Sequence, residues 1–153
     1  MAAGNPTEIR PVKLNDRAEW FRLRCLLWPK AIEEHEGEIA AFFDESNPKA
    51  AVFVLDRGEG RLGGFVEASV RTYAEDCASD EIAYVEGWYV ESDLRQQGYG
   101  RQLVQQVEAW GRSLGLTEMA SDCLLDNTVS YQAHLALGFE EVDRIICFRK
   151  DLI

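Results

Sequence analysis

Histidine occurs only twice, at His35 and His134, and none of the four cysteines (Cys25, Cys77, Cys123 and Cys147) stands in a C-x-x-C pair. That scarcity argues against a zinc site, whose ligands come in closely spaced pairs, and no metal is expected. Cysteines so dispersed read as reduced thiols of a cytoplasmic protein rather than as a disulfide framework. No apolar run approaches the roughly 18 residues that a membrane span needs, so no membrane partner is expected. Met1-Ala-Ala-Gly-Asn-Pro6 has neither a basic head nor an apolar core, so no export signal is read there. Basic side chains are few: 16 Lys and Arg stand against 27 Asp and Glu, a net charge of -11. A nucleic-acid partner requires a basic face and is not expected. Such a surplus of acid draws in a cationic ligand, although many proteins are acidic for solubility alone. Repeats, linkers and low-complexity segments are missing too.

What remains is one domain, residues 1–153, with 46% apolar content and enough chain for a proper core. Glu8–Val12 reads as a short strand. Asn15-Asp16 can cap a helix carrying Trp20, Phe21, Leu23, Leu27 and Trp28, which Pro29 ends. A second helix is predicted over Glu33–Asp44. Ala51–Leu55 is a buried strand, and Arg57-Gly-Glu-Gly60 turns it into a long third strand, Leu62–Tyr73. The acidic stretch Ala74–Asp80 is a loop, and Ile82–Val90 is the fourth strand. A helix follows from Tyr99 to about Leu114, capped by Gly115. Glu118–Asp122 is a short fifth strand, and Asn127 or Thr128 opens a helix to Leu137, closed by Gly138. Phe139–Val142 and Ile145–Arg149 are expected as two final strands. This order makes a single α/β (α+β) domain with a mixed sheet.

The stretch from Glu86 to Leu103 organises the rest. Val85, Trp88 and Val90 are apolar and β-prone, whereas Leu103, Val107 and Trp110 recur at helical spacing. Between them lies Arg95-Gln96-Gln97-Gly98-Tyr99-Gly100, followed by Arg101, of the form R-x-x-G-x-G. Glycines there let the backbone approach a ligand, and the helix start aims unpaired N–H groups at it. Phosphate or pyrophosphate is the matching ligand. No Lys-Ser/Thr follows Gly100, which disfavours a P-loop.

This element order, with R-x-x-G-x-G after the fourth strand and ten residues between Asn127 and Gly138-Phe139, resembles the GCN5-related N-acetyltransferases (GNAT) over essentially the whole chain. The resemblance implies a central, mostly antiparallel mixed sheet flanked by helices, with strands 4 and 5 splayed. It implies acetyl-coenzyme A as cosubstrate, its pyrophosphate on the loop from Arg95 to Arg101. Its pantetheine arm would pair with the backbone of Trp88, Tyr89 and Val90, with Asn127 nearby. A narrower set is similar to the aminoglycoside 6'-N-acetyltransferases: Leu26-Leu-Trp-Pro29, Tyr73 with Cys77, Val85-Glu-Gly87, Glu118-Met-Ala-Ser-Asp122, Asp126-Asn-Thr128 and His134-x-Ala-Leu-Gly-Phe-Glu140. That group implies an aminoglycoside or similar polycationic amine as acceptor, antibiotic resistance as outcome, and a homodimer.

An amine at neutral pH is mostly ammonium, so its transfer site needs a proton acceptor and something to hold its remaining charge. Carboxylates do both. By resemblance, Glu86 is the base, acting through water, and Asp122 orients and balances charge across the gap. Either acid could instead be an ordinary strand or cap residue. Trp28, Tyr73 and Asp143 match positions lining the acceptor cleft, although Trp28 could equally be core and Asp143 a surface charge. Many relatives carry a tyrosine as general acid where His134 stands here, and His134 reads either as a proton donor or as a packed helix residue. No cysteine has a base partner, which favours direct transfer in a ternary complex. Acetylation of a polyamine or another small cationic amine, and non-catalytic binding of acetyl-coenzyme A, stay open beside the aminoglycoside reading.

Overall fold

A computed structural model describes residues 7–153. The Met1–Pro6 stretch, read above for an export signal, lies outside the described residues. Five strands form one sheet in the order β1 (Glu8–Pro11), β2 (Ala50–Gly58), β3 (Arg61–Arg71), β4 (Ile82–Val90) and β5 (Met119–Ser121). Neighbours from β1 to β4 are antiparallel, and β5 joins β4 in parallel. Helices α1 (Arg17–Leu27) and α2 (Ile32–Glu45) precede β2, α3 (Tyr99–Ser113) links β4 to β5, and α4 (Thr128–Ala136) follows β5.

Strand alternation sorts the side chains to two cores. Val52, Val54 and Phe65 pack against Trp20 and Leu23 of α1 and Ile39 of α2. Val66, Ala68 and Val85 pack on the other face against Leu103 and Val107 of α3. Leu103 and Val107 are fully buried, and each such side chain is worth roughly 1.5–3 kcal/mol. Their spacing by four explains why the helix lies flat on the sheet with its first turn beside the end of β4. At the other edge, Arg10 of β1 bridges Asp16 at 2.7 Å and Asp56 at 2.9 Å, clamping the entrance of α1 to β2.

Two features of β4 position the site. Its parallel ladder with β5 covers only Ala83, Tyr84 and Val85, opposite Met119, Ala120 and Ser121. Pairing with β5 therefore ends one residue before Glu86, as the expected splay of the fourth and fifth strands requires. On the other edge, Glu67 pairs with Gly87 but Ala68 pairs with Val85, so Glu86 is the extra residue of a β-bulge. The bulge puts Glu86 and Gly87 on the α1 side, and Trp88 and Val90 return to the α3 core.

The expected strands Phe139–Val142 and Ile145–Arg149 do not form. Backbone in a strand needs a neighbour for its N–H and C=O groups, and among the described residues none pairs with this segment. Phe139 still packs on the α3 core, but Ile146, Phe148 and Leu152 beyond it are 78%, 92% and 92% exposed.

Candidate functional site

The loop between β4 and α3 makes a tight cradle. Gly98, at the N-cap of α3, has φ of +87°, a left-handed conformation that glycine adopts without strain. A Cβ at Gly100 would stand 3.0 Å from Trp88 Cζ2, so glycine lets the indole lie against the helix start without being pushed back. Trp88 Nε1 is buried without a partner there. No acidic side chain occupies the first turn of α3, which leaves its N–H groups and positive dipole end open to an anion. Arg95, Gln96, Gln97 and Arg101 are exposed around it. Arg95 Nε donates to the Val90 carbonyl at 2.7 Å and its guanidinium leans on Tyr89; Gln97 donates to the Asp93 carbonyl and Arg101 to that of Ala136. The residues present fit a pyrophosphate.

Each acid stands one residue beyond the last β4–β5 pair, Glu86 after Val85 and Asp122 after Ser121, each on its own scaffold. Glu86 accepts a forked pair from Arg71, Nε at 2.8 Å and Nη2 at 2.6 Å, and a third bond from Ser69 Oγ at 2.6 Å. Burial pushes its carboxyl up, but Arg71 and Ser69 outweigh that and hold it below the usual carboxylate range. Asp122 accepts a hydrogen bond from the Tyr84 hydroxyl. Burial and that bond together push the Tyr84 phenol well above its ordinary value, so it stays a donor. The Arg71 guanidinium closes the circuit by lying 3.5 Å from the Tyr84 ring centroid.

Trp28, the C-cap of α1, lies directly on Gly87 beneath the bulge, flanked by Phe65 at 6.2 Å and Arg24 at 5.1 Å. Tyr73 is 70% exposed at the end of β3. Tyr84 and Asp122 open into a cleft of about 840 Å³ between β5, α4 and the C-terminal segment. Its walls include Glu75, Asp76, Glu140, Glu141 and Asp143, so the acid surplus of the sequence is concentrated here. Asp143 thus joins Asp122, while Trp28, Tyr73 and Glu86 are not in the wall of that cleft. Asn127 uses its Oδ1 to cap α4 at Ser130 N, 3.1 Å away.

His134 is tied at both nitrogens. Nδ1 faces the Ser130 carbonyl at 2.7 Å, which can only accept, so Nδ1 carries the hydrogen. Nε2 lies 2.8 Å from Ser121 Oγ, which also reaches the Val85 carbonyl at 3.4 Å. The ring stands edge-on to Trp88 and Phe139, at 5.5 and 5.2 Å. Among the described residues no three His, Cys, Asp or Glu side chains converge as a metal site, and no helix is long and apolar enough to cross a membrane.

Sequence reasoning missed Ser69, Arg71 and Tyr84. A signal existed: Glu67, Ser69 and Arg71 recur at every second position of an otherwise apolar strand, which puts three polar groups on one face.

Comparison with known proteins now adds to this geometry. The profile of the acetyltransferase (GNAT) family matches residues 17–139. The chain belongs to that family. As a GNAT protein it is 47% identical over 146 residues to the aminoglycoside N(6')-acetyltransferase type 1 of Klebsiella aerogenes, covering 94% of this chain and 96% of that one. A structure of AAC(6')-Iy in complex with the bisubstrate analogue CoA-S-monomethyl-acetylneamine superposes with a TM-score of 0.88 at 34% identity, covering 96% and 99% of the two chains. The aminoglycoside 6'-N-acetyltransferase AAC(6')-Ih from Acinetobacter baumannii gives a TM-score of 0.88 at 32% identity, with the same coverage. Within the GNAT fold of this chain, the α3 cradle follows the end of β4, the strand that carries Glu86.

Proposed function

We propose that this GNAT protein transfers the acetyl group of acetyl-coenzyme A to the 6'-amine of aminoglycosides and so confers resistance. The observation that carries this is the pair Glu86 and Asp122, each one residue beyond the last β4–β5 pair: Glu86 on β4, whose end leads into the open N-terminus of α3, and Asp122 just past β5. The relatives named above act on, or bind analogues of, the same two substrates.

Acetyl-coenzyme A supplies the acyl group as a reactive thioester. The amides of Gly98 to Arg101 hold its pyrophosphate, with Arg95, Gln96 and Gln97 around them. The β4 edge from Trp88 to Val90, which β5 leaves unpaired, serves its amides, with Asn127 across the gap. Glu86 stays ionised throughout the neutral range and accepts the proton of the acceptor ammonium through water. Asp122, fixed by Tyr84, orients the amine and balances its charge. Trp28, Tyr73 and Asp143 bound the sugar-binding region, and the acidic cleft holds the remaining ammonium groups. His134 shapes the pocket by packing on Trp88, with its Nε2 turned to Ser121. Transfer is direct, in a complex holding donor and acceptor together, with no acyl intermediate on the exposed Cys123.

The protein works as a homodimer in the cytoplasm. The free edge of β5 and the exposed apolar tail at Ile145, Ile146, Phe148 and Leu152 are complementary needs, and a second copy of the chain meets both. All four cysteines are unpaired, as a reducing compartment keeps them.

The test is release of free thiol from acetyl-coenzyme A in the presence of kanamycin or tobramycin, set against spermidine and peptide amines. Acceleration by the aminoglycosides supports the reading. Acceleration by spermidine alone transfers it to polyamines, and no acceleration by any amine leaves a cofactor-binding module.

A further inference from the structure

We propose that Arg71 is a positioning residue for acetyl transfer: its guanidinium holds the Glu86 carboxylate and, through the Tyr84 ring, fixes where Asp122 stands relative to it. The inference rests on the reading of Glu86 and Asp122 as the acceptor end of the site. An arginine at the end of a surface strand is ordinarily a solvated ion pair of little consequence. Three observations set this one apart.

The contact is a fork, with Nε and Nη2 each on a different carboxylate oxygen at 2.8 and 2.6 Å, which fixes the plane as well as the distance. Ser69 Oγ adds a third donor to Glu86 Oε1, leaving the carboxylate in one orientation. The same guanidinium lies on the face of Tyr84 at 3.5 Å, and the hydroxyl of that ring holds Asp122. One side chain of β3 is therefore in contact with Glu86 at the bulge of β4 and, through one ring, with Asp122 just beyond β5. β4 and β5 stop pairing at Val85 and Ser121, so the backbone ladder does not reach these two acids. Arg71 supplies the tie that the ladder does not.

Charge points the same way. The groups that act on Glu86 or are acted on by it are Arg71, Ser69 and Glu67 from β3 and Tyr84 from β4, with Asp122 beyond β5 facing Arg71 and Arg24 of α1 engaged by Glu67 at 2.9 Å. Arg71 is the cation in contact with it. Without Arg71, only the Ser69 bond is left to offset burial, and the Glu86 carboxyl titrates at higher pH. A lysine would restore the charge but not the fork or the flat contact with Tyr84.

The test compares pH profiles of kcat/KM for kanamycin acetylation in the wild type, Arg71→Gln, Arg71→Lys and Glu86→Gln, with coenzyme A affinity and Tm as controls. For Arg71→Gln, kcat/KM at pH 7 falls about ten- to a hundredfold and the acid limb moves up by about one pH unit or more. Arg71→Lys returns the limb toward its wild-type position without full recovery of kcat/KM, while coenzyme A affinity and Tm stay near wild type in both. An unmoved limb in Arg71→Gln, with wild-type kcat/KM or with a loss tracking Tm, overturns the proposal and leaves Arg71 a surface ion pair. Full activity in Glu86→Gln sinks the reading of Glu86 itself. An inactive Glu86→Gln beside an unmoved limb in Arg71→Gln sinks the Arg71 inference alone.

Discussion

Gly87→Ala is a one-carbon change whose consequence can be worked from the structure. The new Cβ would fall 2.5 Å from Trp28 Cζ2, nearer still to Cη2, and 3.4 Å from Leu27 Cδ2. Carbon atoms prefer about 3.5–4.0 Å, so the indole must retreat by about an ångström or β4 must lift. Retreat is blocked, because Phe65 is fully buried beside Trp28 and Arg24 lies over it. Overpacking of this kind costs about 1–3 kcal/mol, and for a chain of this size that is about 2–12 °C in Tm. The strand position most able to move is the bulge, where Glu86 is the unpaired neighbour. Gly87→Ala should therefore lower kcat/KM for the aminoglycoside more than it weakens coenzyme A binding. Differential scanning fluorimetry and steady-state kinetics read both effects. The double variant Gly87→Ala/Trp28→Leu opens space for the methyl and should recover most of the lost Tm, a coupling that a double-mutant cycle isolates. A Gly87→Ala protein with wild-type Tm and kinetics, or a double variant whose losses simply add, would refute this account of why glycine stands there.

Other expectations follow the same logic. Glu86→Gln and Asp122→Asn should each cut kcat/KM by about 10²–10⁴-fold with coenzyme A affinity intact, read by thiol release and calorimetry. Asp16 is buried, which pushes its carboxyl up, yet bonds from Arg10 and the Lys13 N–H outweigh burial and lower it. A lowered carboxylate stabilises the fold above its unfolded value and loses that contribution as pH falls through the folded one. Asp16→Asn should thus cost roughly 2 kcal/mol at pH 7, with the Tm difference from wild type closing as pH drops below about 4. If the proposed dimer forms through the C-terminal tail, the wild type should weigh as a dimer in light scattering and Phe148→Glu, at a side chain 92% exposed in one copy, as a folded monomer. An unchanged dimer mass would place the interface elsewhere.

Much of this was legible from the residues. Leu103, Val107 and the R-x-x-G-x-G turn announce a helix whose start faces an anion, because periodicity and glycine chemistry are local properties. Strand order and the fork at β4–β5 followed from element order together with family resemblance. The polar ring around Glu86 was not read, because contacts such as Ser69 and Arg71 to Glu86 depend on register between strands. Register itself depends on a bulge that alternation cannot foresee, although Val85 and Trp88 share a core at an odd spacing. The final two strands were read from β-prone residues, but propensity describes a pleated surface awaiting a neighbour. Whether the neighbour lies in the same copy is a question of tertiary and quaternary structure.

The bulge also bears on how this strand tolerates change in length. It works as a phase shifter: upstream of Glu86 the even-numbered residues face α1, and downstream the odd-numbered ones do. Deleting one residue at 86–87 would restore a regular ladder, with Val85 opposite Ala68 and Trp88 opposite Val66, both still on the α3 side. The sheet would survive such a change, but the α1 side would not. Loss of Glu86 removes the acid itself, and loss of Gly87 drives Glu86 onto Trp28, where a side chain has no room. The acceptor acid and the seat of Trp28 thus share one inserted residue, so variation in this strand should arise by substitution and hardly ever by a change in count.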